Sequence, residues 1–389
     1  MSETHWIHWI DADAEHTARW RSETGMPLPR RVVPADGRLS AATAHRLACE
    51  GTALLWQGDF QQARQMLRAM GRRIDRKPPA RVAPARKAPA PASSPTAAFH
   101  LHRRAAGHRA RVLAKLLVPL REDHTLGLRR APDVRAACDE AYGPPQGGPW
   151  AVPLRELLGV IGAHQWRTKG VDIPAIGARI HPHYGVFSPV RGEYVDLVAQ
   201  APLPAAAHGS TAFDLGTGTG VLAAVLAHRG VRHVVATDSN PRAVECAADN
   251  MNRLGLTPRV KIATGGGLYP PGRAALVVCN PPWLPAKPNS ALEQGVYDPD
   301  GAMLHGFLTG LADHLLPGGE GWLIMSDLAE HLGLRSPGEL RSAITAAGLH
   351  VLDRLDTRPR HRRATDPTDP LHAARAAEIT SLWRLRIAR

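Results

Sequence analysis

The sequence predicts an α/β protein: a doubly wound, mostly parallel seven-stranded sheet with helices on both faces, preceded by an N-terminal, mainly helical region. Three observations predict it. From Thr211 onward, short apolar runs alternate with stretches of helical period. The first run ends in a glycine-rich turn, Gly216-Thr217-Gly218-Thr219-Gly220. Ahead of that domain, Leu47, Leu54, Leu55 and then Ala63, Met66, Leu67, Met70 recur at helical spacing.

The elements follow in order. Residues 41–57 and 60–74 are expected to form a helical hairpin, with Gly58-Asp59 as the turn and Asp59 as a cap. Residues 76–97 are rich in Pro, Ala, Arg and Ser, too poor in apolar side chains to bury a core, and read as an extended linker. A basic helix is expected from His100 to about Leu120, and Gly143–Pro149 marks a break. In the α/β domain the expected strands are Phe213–Leu215, Val234–Thr237, Val260–Ala263, Leu276–Cys279 and, after a Pro317-Gly318-Gly319 turn, Trp322–Met325. Val351–Leu355 and Ile379–Ile387 close this Rossmann-like sheet as a final pair. Asn240 caps the second helix, Pro241 suits its first turn and Gly255 its exit. The organisation read from these signals is 1–75 helical, 76–97 linker, 98–178 basic segment and connector, and 179–389 the α/β domain.

Charge is concentrated. Gly71–Lys115 holds twelve Lys/Arg and one acid, Asp75, a net +11 of the chain's +13. Such a segment neutralises phosphates, so RNA is an expected partner; a solvated linker is the alternative. No apolar run is long enough to span a membrane, and the N-terminus lacks a basic-then-apolar leader, which points to the cytoplasm. The four cysteines, Cys49, Cys138, Cys246 and Cys279, lack zinc-ligand spacing, and no metal is expected. His181 and His183 read as solvent-facing or capping groups, and Asp298-Pro-Asp300-Gly301 as a turn that orders the loop after Trp283. Arg358–Arg363 is a basic loop, either phosphate-contacting or solvated.

In a doubly wound sheet, ligands bind beyond the carboxyl ends of the strands. Gly216, Gly218 and Gly220 sit there, and Asp238 ends the next strand 22 residues after Gly216, the usual place for a carboxylate that accepts from ribose hydroxyls. A nicotinamide site calls for a glycine at position 221, where this chain has Val221. Asn280-Pro281-Pro282-Trp283 follows the fourth apolar run. The Asn280 side-chain oxygen and the Pro281 carbonyl each accept one N–H of a planar amine, Pro282 stiffens the turn, and Trp283 stacks on the target. A plain Pro-Pro turn beside a core Trp is the structural alternative.

With Asp214 ahead of it, the glycine run resembles the first motif of class I S-adenosylmethionine-dependent methyltransferases. Residues 180–330 resemble the methyltransferase small-domain family, which includes ribosomal-RNA guanine, tRNA adenine and release-factor glutamine methyltransferases. Gly185-Val-Phe-Ser-Pro189 is similar to the family's segment beside the cofactor adenine, which places Phe187 there. Trp283 replaces the usual Tyr or Phe, Gly267 an Asp that holds the adenine amine, and Ala275 a second Asp. Either cofactor affinity is therefore expected to be weaker, or Tyr269 and backbone groups take over adenine contacts. The resemblance implies S-adenosyl-L-methionine as cofactor: Gly216, Gly218 and Gly220 cradle its methionine half, Asp214 shapes the loop, and Asp238 binds the ribose. It also implies N-methyl transfer to an exocyclic amine of an RNA base. The alternatives are a protein glutamine side chain, DNA adenine, a small-molecule amine, or a non-catalytic relative that binds cofactor or RNA.

Overall fold

The computed structural model describes residues 5–76, 94–190, 192–264, 267–288, 292–360 and 362–388. They form two units, one from Met1–Ala92 and His100–Gln165, the other from Ser93–Phe99 and Trp166–Arg389.

The first unit runs β1 (Trp6–Asp11), β2 (Ala14–Trp20), β3 (Arg31–Ala35), α1 (Ala41–Cys49), β4 (Thr52–Trp56), α2 (Phe60–Asp75), α3 (Pro95–Leu113), β5 (Leu116–Leu120), α4 (Arg135–Tyr142), β6 (Trp150–Pro153) and α5 (Leu154–Lys169). The first five residues of α3 and the last four of α5 fall in the second unit. The strands form one mixed sheet in the order β1-β2-β6-β5-β4-β3. Every strand contributes to one core: Ile7, Ala18, Val32, Ala53, Leu55, Leu117 and Ala151.

This sheet corrects the expected mainly helical N-terminal region. The expected helix over 41–57 stops at Cys49, Gly51 turns the chain at φ 92°, and Thr52–Trp56 is a strand with all five residues buried. A strand buried on both faces loses its alternation, so its apolar run is indistinguishable from a buried helical stretch. Leu116–Leu120 is likewise a strand at the end of the expected basic helix. Asp59 does cap α2, accepting from the backbone N–H groups of Gln61 and Gln62. Most of the expected linker, 77–93, lies outside the described residues, as do Lys77, Arg81, Arg86 and Lys87 of the basic segment.

The second unit begins with a two-stranded hairpin, β7 (Val171–Ile173) and β8 (Ala178–Ile180), and α6 (Glu193–Gln200). Then come β9 (Thr211–Leu215), α7 (Val221–His228), β10 (His233–Thr237), α8 (Pro241–Arg253), β11 (Val260–Ala263), β12 (Ala274–Cys279), α9 (Ala302–His314) and β13 (Leu315–Ser326). The short α10 (Leu328–His331), α11 (Glu339–Ala346), β14 (Leu349–Thr357), α12 (Arg362–Thr365), α13 (His372–Ala377) and β15 (Thr380–Ile387) complete it. The strand order is β11-β10-β9-β12-β13-β15-β14. All neighbours are parallel except β15, antiparallel to both β13 and β14. This is the expected doubly wound, seven-stranded sheet, and the expected strands lie within the observed ones, save Ile379, which directly precedes β15.

One turn is revised. β13 runs straight through Pro317-Gly318-Gly319, and its pairing with β12 shifts register between Ala274 and Leu276. The glycines make an irregular strand entry, not a separate turn.

Apolar residues decide the layering. Val221–Ala227 is buried on every side, which places α7 inside one helical layer with α6 and the buried face of α8. Leu304, Phe307, Leu308 and Leu311 of α9, with Leu340 and Ile344 of α11, cover the opposite face. The strands between carry Phe213, Val277, Val278, Leu323 and Ile324, all 2% exposed or less. Among the described residues no helix is long and apolar enough to cross a membrane.

Candidate functional site

The register of the central strands assembles the site. Cys279 of β12 pairs with Leu215 of β9, so the residues that leave the sheet next, Asn280 and Gly216, emerge side by side at its carboxyl edge. Asp238 leaves the same edge one strand further on, because Thr237 also pairs with Leu215.

The turn after β9 is fixed from several sides. Gly216, Gly218 and Gly220 have φ of 70°, 55° and 81°, which side-chain-bearing residues rarely adopt. A Cβ on Gly216 would collide with the Met303 Cε, and one on Gly220 would lie 3.3 Å from the Ala247 Cα. The N–H groups of Gly216 and Thr217 both donate to the Thr237 carbonyl at 2.9 Å. Asp214 is 1% exposed, and its Oδ2 accepts from the Thr217 hydroxyl at 2.6 Å and the Ala223 N–H at 3.0 Å. Burial pushes its carboxyl up to about 6 against these hydrogen bonds.

Asp238 holds the turn from the other side. One oxygen accepts from the Gly218 N–H and the other from the Asn240 N–H, both at 2.9 Å. Each carboxylate oxygen retains a lone pair for a further donor. Asn240 caps α8 as expected, accepting from the Arg242 N–H.

Asn250 is a positioning residue that sequence reasoning missed. Fully buried, its amide donates to the carbonyls of Thr219 at 3.0 Å and His181 at 3.2 Å and accepts from the His181 N–H at 2.8 Å. It ties the glycine turn to the 181–187 segment. Its only signal is a polar residue on the buried stripe of α8, with Ala243, Cys246 and Ala247. His181 Nδ1 meets the Arg167 carbonyl at 2.6 Å, and His183 Nε2 meets Asp249 at 3.2 Å. Among the described residues no group of three or more His, Cys, Asp or Glu is arranged to hold a metal.

Phe187 lies against the loop that follows Trp283: a Cβ on Gly295 would come within 2.9 Å of the Phe187 Cβ. Val186 packs on Ala243 and Cys246 of α8. That loop is braced by Leu284, whose N–H and carbonyl bond to Val296 and Asp298. Asp298, buried, accepts from the N–H groups of Met303 and Leu304, so Asp298–Gly301 is a turn that starts α9.

Asn280 and Trp283 are joined. The indole Nε1–H donates to the Asn280 Oδ1 at 3.0 Å. Trp283 is half-buried and packs against the cores on both sheet faces. One acceptor position of Asn280 is therefore taken by the indole and one remains.

Tyr269 departs from expectation. Its hydroxyl donates to the Phe307 carbonyl at 2.5 Å and its ring stacks on His314, so it is committed to α9 and not turned to an adenine. Gly267 is exposed with open space around its Cβ position; Gly266 lies outside the described residues. Of the Arg358–Arg363 loop, Arg360 pairs with Asp196 at 3.9 Å.

Phe187, Asp214–Gly220, Asp238 and Asn280–Trp283 all lie between Gly177, in the turn of the β7-β8 hairpin, and Ser336, just past α10.

Residues 177–336 match the methyltransferase small domain family.

Two curated relatives match parts of the chain. A release factor glutamine methyltransferase of Cereibacter sphaeroides is 33% identical over 167 residues, 39% of this chain and 58% of the relative. A ribosomal protein L11 methyltransferase of Pelotomaculum thermopropionicum is 45% identical over 73 residues, 18% of this chain and 24% of the relative. The chain thus spans little more than half the length of the first and a quarter of the second. A solved methyltransferase structure from Pyrococcus furiosus aligns with 58% of this chain and 98% of its own, at 17% identity and a TM-score of 0.40.

Residues 177–336 have the groups an adenosyl cofactor requires. The positive-φ glycines expose backbone, Asp238 offers acceptor capacity, and beside Phe187 the Ser188 Oγ is buried with no hydrogen-bond partner among the described residues. A buried hydroxyl of that kind calls for a ligand atom or water.

Proposed function

We propose that this chain is an S-adenosylmethionine-dependent N-methyltransferase acting on a planar NH2 group. The single observation that carries the reading is the register of β9 and β12, which sets the glycine turn and Asn280 side by side.

The residues divide the work as follows. Gly216, Gly218 and Gly220 present backbone to the methionine half of the cofactor, Asp238 accepts from the ribose, and Phe187 borders the adenine. When bound, the cofactor supplies a methyl group already activated on a sulfonium sulfur. An amide or exocyclic nitrogen is a weak nucleophile because its lone pair is delocalised. The free acceptor position of Asn280 and the carbonyl of Pro281 each take one N–H, which turns that lone pair toward the cofactor side. Pro281 and Pro282 keep the carbonyl aimed. The Trp283 ring supplies a flat wall and excludes water. The surplus proton of the product nitrogen leaves to solvent.

A side-chain amide of a polypeptide, of the glutamine type, is the preferred acceptor. Support comes from the similarity to a release factor glutamine methyltransferase, 33% identical over 167 residues. An exocyclic amine of an RNA base is the second reading, favoured by exposed Arg72 and Arg73 on α2 and Arg104 and Arg111 on α3. Incubation with methyl-labelled S-adenosylmethionine and either total protein or total RNA separates the two. Label in protein and not RNA supports the first; label in neither fraction overturns both.

A further inference from the structure

At the carboxyl end of β13, on the side away from β9, a cavity opens between Asp327, Glu330, Arg335, Arg341, Arg354 and Trp383. Its floor is the Trp383 indole, 6% exposed, with the guanidinium carbons of Arg341 and Arg354 at 5.0 Å and 4.6 Å from the ring centroid. Arg354 is further engaged by Asp356 at 2.7 Å and the Ser381 hydroxyl at 3.1 Å. Asp327 accepts from the Ile379 N–H at 2.7 Å and faces His331 at 3.3 Å. Arg335 and Arg341 differ: among the described residues neither side chain has a hydrogen-bond acceptor or an ion-pair partner. Arg335 is nonetheless drawn out of water, and burial pulls its pKa down, while Glu339, Glu330 and Asp298 act on it through charge alone.

A desolvated guanidinium carries five N–H donors in one plane and is satisfied best by a planar pair of oxygens. Arg335 and Arg341 line one cavity, with Arg341 over the Trp383 indole, and two such forks suit a carboxylate. The lining carries both signs, with Glu330 and Asp327 facing the arginines. A polypeptide, which also carries both, fits this field; a nucleic-acid backbone of uniform negative charge does not.

We infer that this cavity is a subsite for a carboxylate of the acceptor polypeptide. The inference rests on the transferase reading for its role. β13 lies between β12 and β15, so the cavity opens on the edge that carries Asn280, about 10 Å away by two strand spacings. The acceptor amide then has an acidic residue a few positions along its chain.

Isothermal titration of the full chain tests this with two blocked peptides. They differ only in a glutamate or a glutamine placed three residues after a glutamine; a short oligouridylate is the third ligand. The acidic peptide is expected to bind about tenfold tighter than the neutral one. Arg335→Gln should erase that preference while cofactor affinity stays unchanged, which shows that the domain is folded. Equal affinities for the two peptides, or no binding of either, overturn the subsite. Preferential binding of the oligouridylate that is lost in Arg335→Gln overturns the choice of polypeptide. Heats of binding need no methyl transfer, so failure of the transferase reading leaves this result readable.

Discussion

Asn280 and Trp283 share one hydrogen bond, and it decides which way the amide of Asn280 faces. Without the indole N–H, the side chain is free to turn its NH2 toward the acceptor and repel it. Trp283→Phe keeps an aromatic wall but deletes that donor. It should lower kcat about tenfold, with KM and cofactor affinity little changed; an unaltered kcat would show that the bond does not position Asn280. Asn280→Ala removes the acceptor itself and should cost at least about a hundredfold in transfer while equilibrium dialysis still finds the cofactor bound. At Gly267 the backbone is unstrained and the Cβ position opens into space. Gly267→Asp should tighten cofactor binding about fivefold by supplying the carboxylate expected at this position for the adenine amine. No gain in a titration would mean the adenine lies elsewhere. The place of Asn280 at the carboxyl edge of the sheet was legible because it follows a short apolar run that reads as a strand. The indole-to-amide bond was not, since spacing does not specify a side-chain contact across a proline turn.

The turn between β9 and α7 is where stability and function meet. Gly220→Ala puts a Cβ against Ala247 at a φ of 81° and should cost about 1–3 kcal/mol, measured as a lowered denaturant midpoint. Asp214 adds a pH dependence. Its folded-state pKa, about 6, lies above the ordinary 3.8. The folded chain therefore holds this proton more tightly than the unfolded chain. The stabilisation from protonation is complete below about pH 4 and is lost as pH rises through about 6. Asp214→Asn should remove that slope, so its stability relative to the native chain rises by up to about 3 kcal/mol between those limits. Parallel denaturation curves at pH 4 and 7 check it. The strands of this unit were readable because buried parallel strands are short, continuous and punctuated by glycine, proline and acid. β4 and β5 were not, because an apolar run beside a true helix continues its period by accident.

For the whole molecule, the open question is what the basic helices bind. Deleting them would remove Met66, Met70, Val112 and Leu113 from a core, so charge alone should be changed. Replacing Arg72, Arg73, Arg104 and Arg111 by Gln should flatten the salt dependence of RNA binding in a filter assay, by up to about one unit of slope for each phosphate no longer neutralised. An unchanged slope would assign RNA no role on these helices. The chain's charge pattern was visible at once, but its setting was not. The six-stranded sheet of the first unit joins β2 to β6 across more than a hundred residues, a pairing that no local pattern announces.

The pairing of Cys279 with Leu215 also makes the proposed transfer hostage to strand length. One residue added within Leu276–Cys279 would push Asn280 a step beyond the sheet and flip it to the opposite side, stranding the acceptor from the donor while every core residue upstream stayed in place. Lineages that lengthen or shorten this segment singly should be folded and silent.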